Sequence, residues 1–260
     1  MTAITIPARV RFGNLVKAES RKYVNTRAAL VLSILTAAVL AVATIGAIIA
    51  YPDLTKIATG TDLQFLLLGV TSILTAVIVI LPVTSEWTQR GVLTTFVVEP
   101  RRERVVAAKA LVMLGVVLTV WLAIQLSWAV FNAAGAAAHS LEASWEFHWV
   151  RWFGVIEILL LDATMAFALA LLLRNTALAV AVFVAGPVTV GALSQFGELA
   201  AKITAWIRTP GTSLQTILST QKDGQTPDAT LWGQFTVGVV VWIVVPLAIG
   251  LWLNCRADAN

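Results

Sequence analysis

The chain has 260 residues, 58% of them hydrophobic and only 12% charged, with a mean hydropathy of +0.85. That balance excludes an ordinary soluble domain. The formal charge of +4 comes from basic residues beside apolar runs, which points to lipid headgroups and membrane orientation rather than to nucleic acid. A single cysteine, Cys255, excludes an intramolecular disulfide and a cysteine-built metal site. Two histidines, His139 and His148, are too few for a metal-centred function and are expected in a loop at the membrane edge.

Residues 1–27 come first. Phe12, Leu15, Val16, Glu19 and Tyr23 share one helical face, with Arg11, Lys17, Arg21 and Lys22 on the others. Glu19 interrupts an otherwise apolar stripe, and the segment reads as an interfacial helix lying along the membrane surface. A secretory signal peptide is the rival reading, because Ala41-Val42-Ala43 imitates a cleavage site. The basic lead is too long and the apolar run too extended for it.

Six apolar segments follow at about 28–50, 65–83, 110–134, 152–173, 176–195 and 235–253, each near the roughly 20 residues that cross a bilayer. The fold class is therefore an all-α polytopic membrane protein, its six-span domain covering 28–260. Several tryptophans fall near span ends, as in an aromatic belt, although Trp121 lies inside one. Six of the 18 Lys/Arg precede the first span and five lie between the second and third. Arg174 joins the fourth and fifth spans and Arg256 follows the sixth, against Lys56, Arg151, Lys202, Arg208 and Lys222 on the opposite side. The positive-inside rule then puts both termini in the cytoplasm.

Between spans two and three runs SEWTQRGVLTTFVVEPRRERVVAAK. Trp87, Val92, Leu93, Phe96 and Val97 fall at helical spacings and predict a short amphipathic helix over 85–98. Thr84 or Ser85 is expected to cap its start. Glu86 precedes Arg90 by four residues, the favourable order for a surface pair. Pro100 stops it, because Glu99 before a proline is biased out of the helical region. Arg101, Arg102, Glu103 and Arg104 then lead into the next span. The segment 196–231, between spans five and six, predicts one or two amphipathic helices dipping into the outer surface. Phe196, Leu199, Ala200, Ile203, Trp206 and Ile207 form a stripe closed by Thr209-Pro210-Gly211, and a second apolar piece covers 214–218.

Taken in order, the N-terminal RFGNLVKAESRKYVNTR, the stretch from Ser85 to Lys109 and the outer amphipathic segment resemble the integral membrane subunit of type-2 ABC transporters, mostly exporters. The resemblance covers nearly the whole length. It implies a cytoplasmic coupling helix at 85–98 that docks on a separate ATP-hydrolysing subunit. Glu86, Trp87, Arg90, Leu93, Phe96, Glu99, Arg101 and Arg102 would be the coupling residues. It further implies a pair of permease subunits, identical or not, with a substrate path at their interface, in the bacterial cytoplasmic membrane. The chain has no Gly-rich phosphate loop ending in Gly-Lys-Ser/Thr, so it is not expected to be an enzyme, and ATP and Mg belong to the partner. No metal or cofactor is expected in this chain. Composition along the pathway suggests a lipid, an amphipathic drug or a peptide as cargo.

The fourth span carries Glu157 and Asp162. Asp162 lies about ten residues, roughly 15 Å, from the outer end, where a charged Asp costs about 2.5–3.5 kcal/mol to insert. A proton-coupled secondary transporter using Asp162 as a relay is the alternative. The structural explanation is a hydrogen bond to a bundle group such as Gln125 or Ser127. Glu157 is expected to pair with Arg151. Gly186-Pro187 in span five is read as a kink packed against a neighbour rather than a break in the pathway.

Overall fold

Long apolar runs without enough polar surface for a soluble coat must satisfy their backbone internally, and in lipid the helix is one of two ways to do so. The computed structural model describes residues 11–51, 60–88, 102–143, 145, 149–222 and 224–256, which are helical with short links and contain no strand. In chain order the helices are α1 (Phe12–Asn25), α2 (Arg27–Ile49), α3 (Gly60–Thr88), α4 (Arg102–His139), α5 (Trp149–Leu173), α6 (Thr176–Leu193), α7 (Glu198–Trp206), α8 (Pro210–Lys222), α9 (Ala229–Val239) and α10 (Val245–Arg256). A π-helical turn, Val240–Val244, joins α9 to α10 into one rod. Six helical stretches are long and apolar enough to cross a membrane: α2, α3, α4, α5, α6 and the α9–α10 rod. The protein has the build of a multi-pass membrane protein.

The two central spans are α3 and α5, which pack on each other along their length. Some 61% of each one's most apolar stretch is buried, against 17–22% for α2, α6 and the α9–α10 rod. Side-chain size explains the closeness: Ala163, Ala166 and Ala170 of α5 and Ala76 of α3 are almost fully buried, and small residues let helix backbones approach where lipid offers no hydrophobic drive. Hydroxyls tie the same layers. Thr84 of α3 and Thr176 of α6 share a 2.6 Å hydrogen bond, and Asn254 of α10 donates to the Leu171 carbonyl of α5.

Three expectations about boundaries change. The 85–98 helix was to begin afresh at Thr84 or Ser85, but 85–88 simply continue α3. The Thr84 hydroxyl donates to the Ile80 carbonyl and that of Ser85 to Pro82, both within α3. Residues 89–101 lie outside the described residues, and with them the rest of the expected coupling helix, including Arg90, Leu93, Phe96, Glu99 and Arg101. Span three is also much longer than 110–134: α4 has 38 residues, about 57 Å, because the Arg102–Lys109 lead and the small-residue run 133–138 are themselves good helix. Finally, Pro210-Gly211 does not close α7 but opens α8, the position where a proline's missing N–H costs nothing.

Helix α1 packs across the start of α4. Leu15 meets Val105 and Ala108, and Glu19, expected to interrupt the stripe, is its anchor. Its carboxylate is 2.7 Å from Lys109 Nζ and 2.7 Å from Lys22 Nζ, with the Glu19 and Lys109 side chains only 3% and 5% exposed. Amphipathicity counted Glu19 as a flaw in the apolar stripe; the cation that buries it is 90 residues away in sequence.

At the opposite, far end, Tyr51 is buried against Phe131 and His139. It lies where a Cβ on Gly135 would stand. His139, expected in a loop, is the last residue of α4, and its Nε2 is 2.9 Å from the Ile48 carbonyl.

Candidate functional site

A short helix that enters a bundle from one end must find partners for the first four N–H groups of its terminus. The first turn of α8 lies against Asp162. Gly197, at φ 117°, turns the chain out of α6 into α7, whose Phe196–Leu199–Ile203 edge is exposed. The chain then reverses at 207–209 and α8 runs back against α5 with Leu214, Ile217 and Leu218 buried. The reversal sits deep. A Cβ on Gly238 would meet the Arg208 carbonyl oxygen at 2.6 Å, and Gly238 is about 14 Å along the rod from Ala229. Trp242, in the π-helical turn, donates its indole N–H to the Ile207 carbonyl at 2.9 Å. Its ring lies where a Cβ on Gly186 would stand, 2.6 Å away. Gly186-Pro187 therefore packs against a neighbour, as expected, and Pro187 stays within α6.

Asp162 stands halfway along the 25-residue α5. Its Oδ1 is 2.4 Å from the position of a Cβ on Gly211, so the carboxylate rests on the first turn of α8, where the helix dipole favours an anion. The Ser72 hydroxyl of α3 donates to Oδ2. Neither Gln125 nor Ser127 fills the expected role. Gln125 instead accepts from the Gln64 amide, joining α4 to α3, because it sits on the α3-facing side of α4. Glu157 is exposed on α5, and the Arg151 side chain expected beside it lies outside the described side chains.

Two adjoining cavities open around this junction. One of about 260 Å³ is lined by Asp162, Ser72, Thr209, Thr212 and Gln215 among apolar walls that include Phe65, Met165 and Phe183. The other, about 210 Å³, is lined by Arg208, Thr209, Thr212 and Ser194, with Pro187 common to both. A larger groove of about 760 Å³ between α1, α2, α3 and α4 is almost wholly apolar. Its Ser33 and Thr36 hydroxyls are bonded to their own helix, so little remains there to orient a ligand. The site with chemistry is the smaller pair.

No family model matches the chain, and neither does any curated protein. The geometry has to carry the reading. Among the described residues no group of His, Cys, Asp and Glu could hold a metal ion.

Of the residues assigned to coupling, only Trp87 has a described side chain. Half-buried at the end of α3, its ring lies 4.1 Å under the Arg174 guanidinium, a cation–π contact. Arg174 sits at φ 52° in the two-residue link from α5 to α6, and Asn175 caps α6 by accepting from the Leu178 N–H. The end of α3 is thereby tied to the α5–α6 turn. Sequence reasoning missed Ser72, Gly211, Arg208 and Arg174 as site residues. The one available signal was Arg208 beside Pro210-Gly211, a charge next to a helix start within an apolar stretch.

Gly211→Ala would drive a methyl into Asp162. Overpacking of this kind costs about 1–3 kcal/mol, so the variant is expected to melt clearly below wild type in detergent. Gly233→Ala, whose Cβ meets Trp206 at an ordinary 3.4 Å, should melt close to wild type. Equal melting of the two would mean that the carboxylate does not rest on α8.

Proposed function

We propose that the chain is the membrane-spanning permease subunit of an ATP-driven type-2 ABC transporter, an exporter of a lipid, amphipathic drug or peptide. In this reading it works as a pair of permease subunits in the bacterial cytoplasmic membrane, with both termini cytoplasmic. Helix α1 is interfacial, 85–98 is the coupling segment, and ATP and Mg are held by a separate ATPase subunit. The observation that carries it is the deep reversal at 207–209. A helix that stops at half depth leaves lined, polar space in the middle of a bundle that is otherwise packed with Ala, Val, Leu and Ile. Such half-helix ends belong where backbone borders a cavity. The order of α1 before the first span, the basic stretch between spans two and three, and the helical pair before the last supports the same assignment.

A proton-coupled transporter remains the second reading because Asp162 is a mid-span carboxylate. The contacts argue against it. Asp162 accepts from Ser72 and lies against Gly211, and its cavity contains no second titratable side chain, whereas a relay needs a chain of them.

Co-expression with candidate ATPase subunits followed by purification tests the proposal. A stable complex whose vesicles transport on ATP, and continue when the proton gradient is collapsed, is the expected result. Transport by the chain alone that stops with the gradient would establish the second reading. Reporters fused after Tyr51, Ser140 and Gly224 should report outside and those after Arg102 and Asn260 inside; a cytoplasmic signal at Gly224 would remove the six-span arrangement.

A further inference from the structure

Charged groups at mid-depth are costly and need a counter-charge or a ligand. Asp162 has its partners, as described above. Arg208 does not: half-buried at the reversal between α7 and α8, its guanidinium makes no hydrogen bond or ion pair among the described residues, and it lines the smaller cavity. The two groups do not pair with each other. They occupy adjoining cavities that share Pro187, Thr209 and Thr212, one carrying an anion and the other a cation with five N–H donors. Neighbouring hydroxyls are already committed, since Thr212 donates to the Thr209 carbonyl and Ser194 to that of Gly191. Apart from Ser72 and Gln215, the larger cavity is otherwise walled by apolar side chains.

We propose that these paired cavities bind a zwitterionic amphiphile, its acidic group on Arg208, its ammonium on Asp162 and its apolar part along Phe65, Met165 and Phe183. The proposal rests on reading the cavity as part of the pathway and supplies the substrate class that the pathway takes. A purely anionic ligand would leave its charge beside Asp162, and a purely cationic one would leave Arg208 uncompensated. A chainless zwitterion would forgo the apolar walls.

The purified chain in a non-ionic maltoside, with no ATPase present, provides the test, so its outcome does not depend on the ABC assignment. Binding of lysophosphatidylethanolamine, dodecylphosphate, dodecylamine and free phosphoethanolamine is measured by native mass spectrometry. Lysophosphatidylethanolamine should bind tightest. Arg208→Gln and Asp162→Asn should each weaken it by about ten- to a hundredfold, the usual worth of a charge-assisted contact. Arg208→Lys should retain most of the affinity. Equal binding of dodecylphosphate by the wild type would overturn the proposal, and this holds even if Arg208→Gln fails to fold. Equal binding of free phosphoethanolamine would overturn the amphiphile. Unchanged binding in Arg208→Gln with loss of a dimer would assign the guanidinium to a subunit contact and overturn the site.

Discussion

Glu19→Ala lowers stability by about 3–5 kcal/mol, the usual effect of removing one member of a buried ion pair. The loss is so large because Lys109 is buried and loses the Glu19 carboxylate, whereas the Lys22 half of the cluster is more exposed and contributes less. Glu19→Leu combined with Lys109→Met should recover most of it, since replacing both charges by apolar groups of similar volume is often neutral. Thermal unfolding of the three proteins in detergent measures this, with protease cleavage between α1 and α2 as a local readout. A single variant as stable as wild type would mean that α1 is held by Leu15 and Tyr23 alone. If α1 is the interfacial helix of a permease, the pair also has mechanical weight. Lys109 lies near the start of α4, after the 85–98 segment proposed to meet the ATPase, so Glu19 would tie movement passed into α4 to the membrane surface.

If the chain is such a permease, Phe96→Ala is expected to abolish transport while leaving membrane insertion intact. Phe96 falls outside the described residues, and the expectation rests on its place in the apolar stripe with Leu93. A buried aromatic anchor carries about 2 kcal/mol or more at a docking contact, roughly thirtyfold in affinity. A rim charge carries less. Glu86→Gln should therefore change mainly the salt dependence of assembly. Co-purification with the ATPase followed by transport in vesicles separates the two variants. Normal transport by Phe96→Ala would reduce this stretch to a surface anchor and leave the ABC reading without its main support.

Helix count and placement were legible because they depend on local composition. Runs of about 20 apolar residues are helical in lipid whatever they pack against, and four of the six expected spans lie wholly within the helices observed. The other two, 28–50 and 176–195, overrun α2 by one residue and α6 by two. The paired helices before the last span were also visible in the periodicity of 196–218. Boundaries were less so, since a switch from apolar to polar residues after Val83 does not break a helix whose hydroxyls can bond back to its own carbonyls.

Composition and periodicity by themselves determined that this is a helical protein with six runs long and apolar enough to cross a membrane, a helix ahead of the first and a short helical pair before the last. Partners were decided only by the tertiary structure. Glu19 found Lys109, Asp162 found Ser72 and Gly211 rather than Gln125, and Trp242 came to lie on Gly186. Each joins residues separated by 49 positions or more. Which polar group meets which in a bundle depends on the rotation and depth of every helix, and an apolar run of this kind specifies neither.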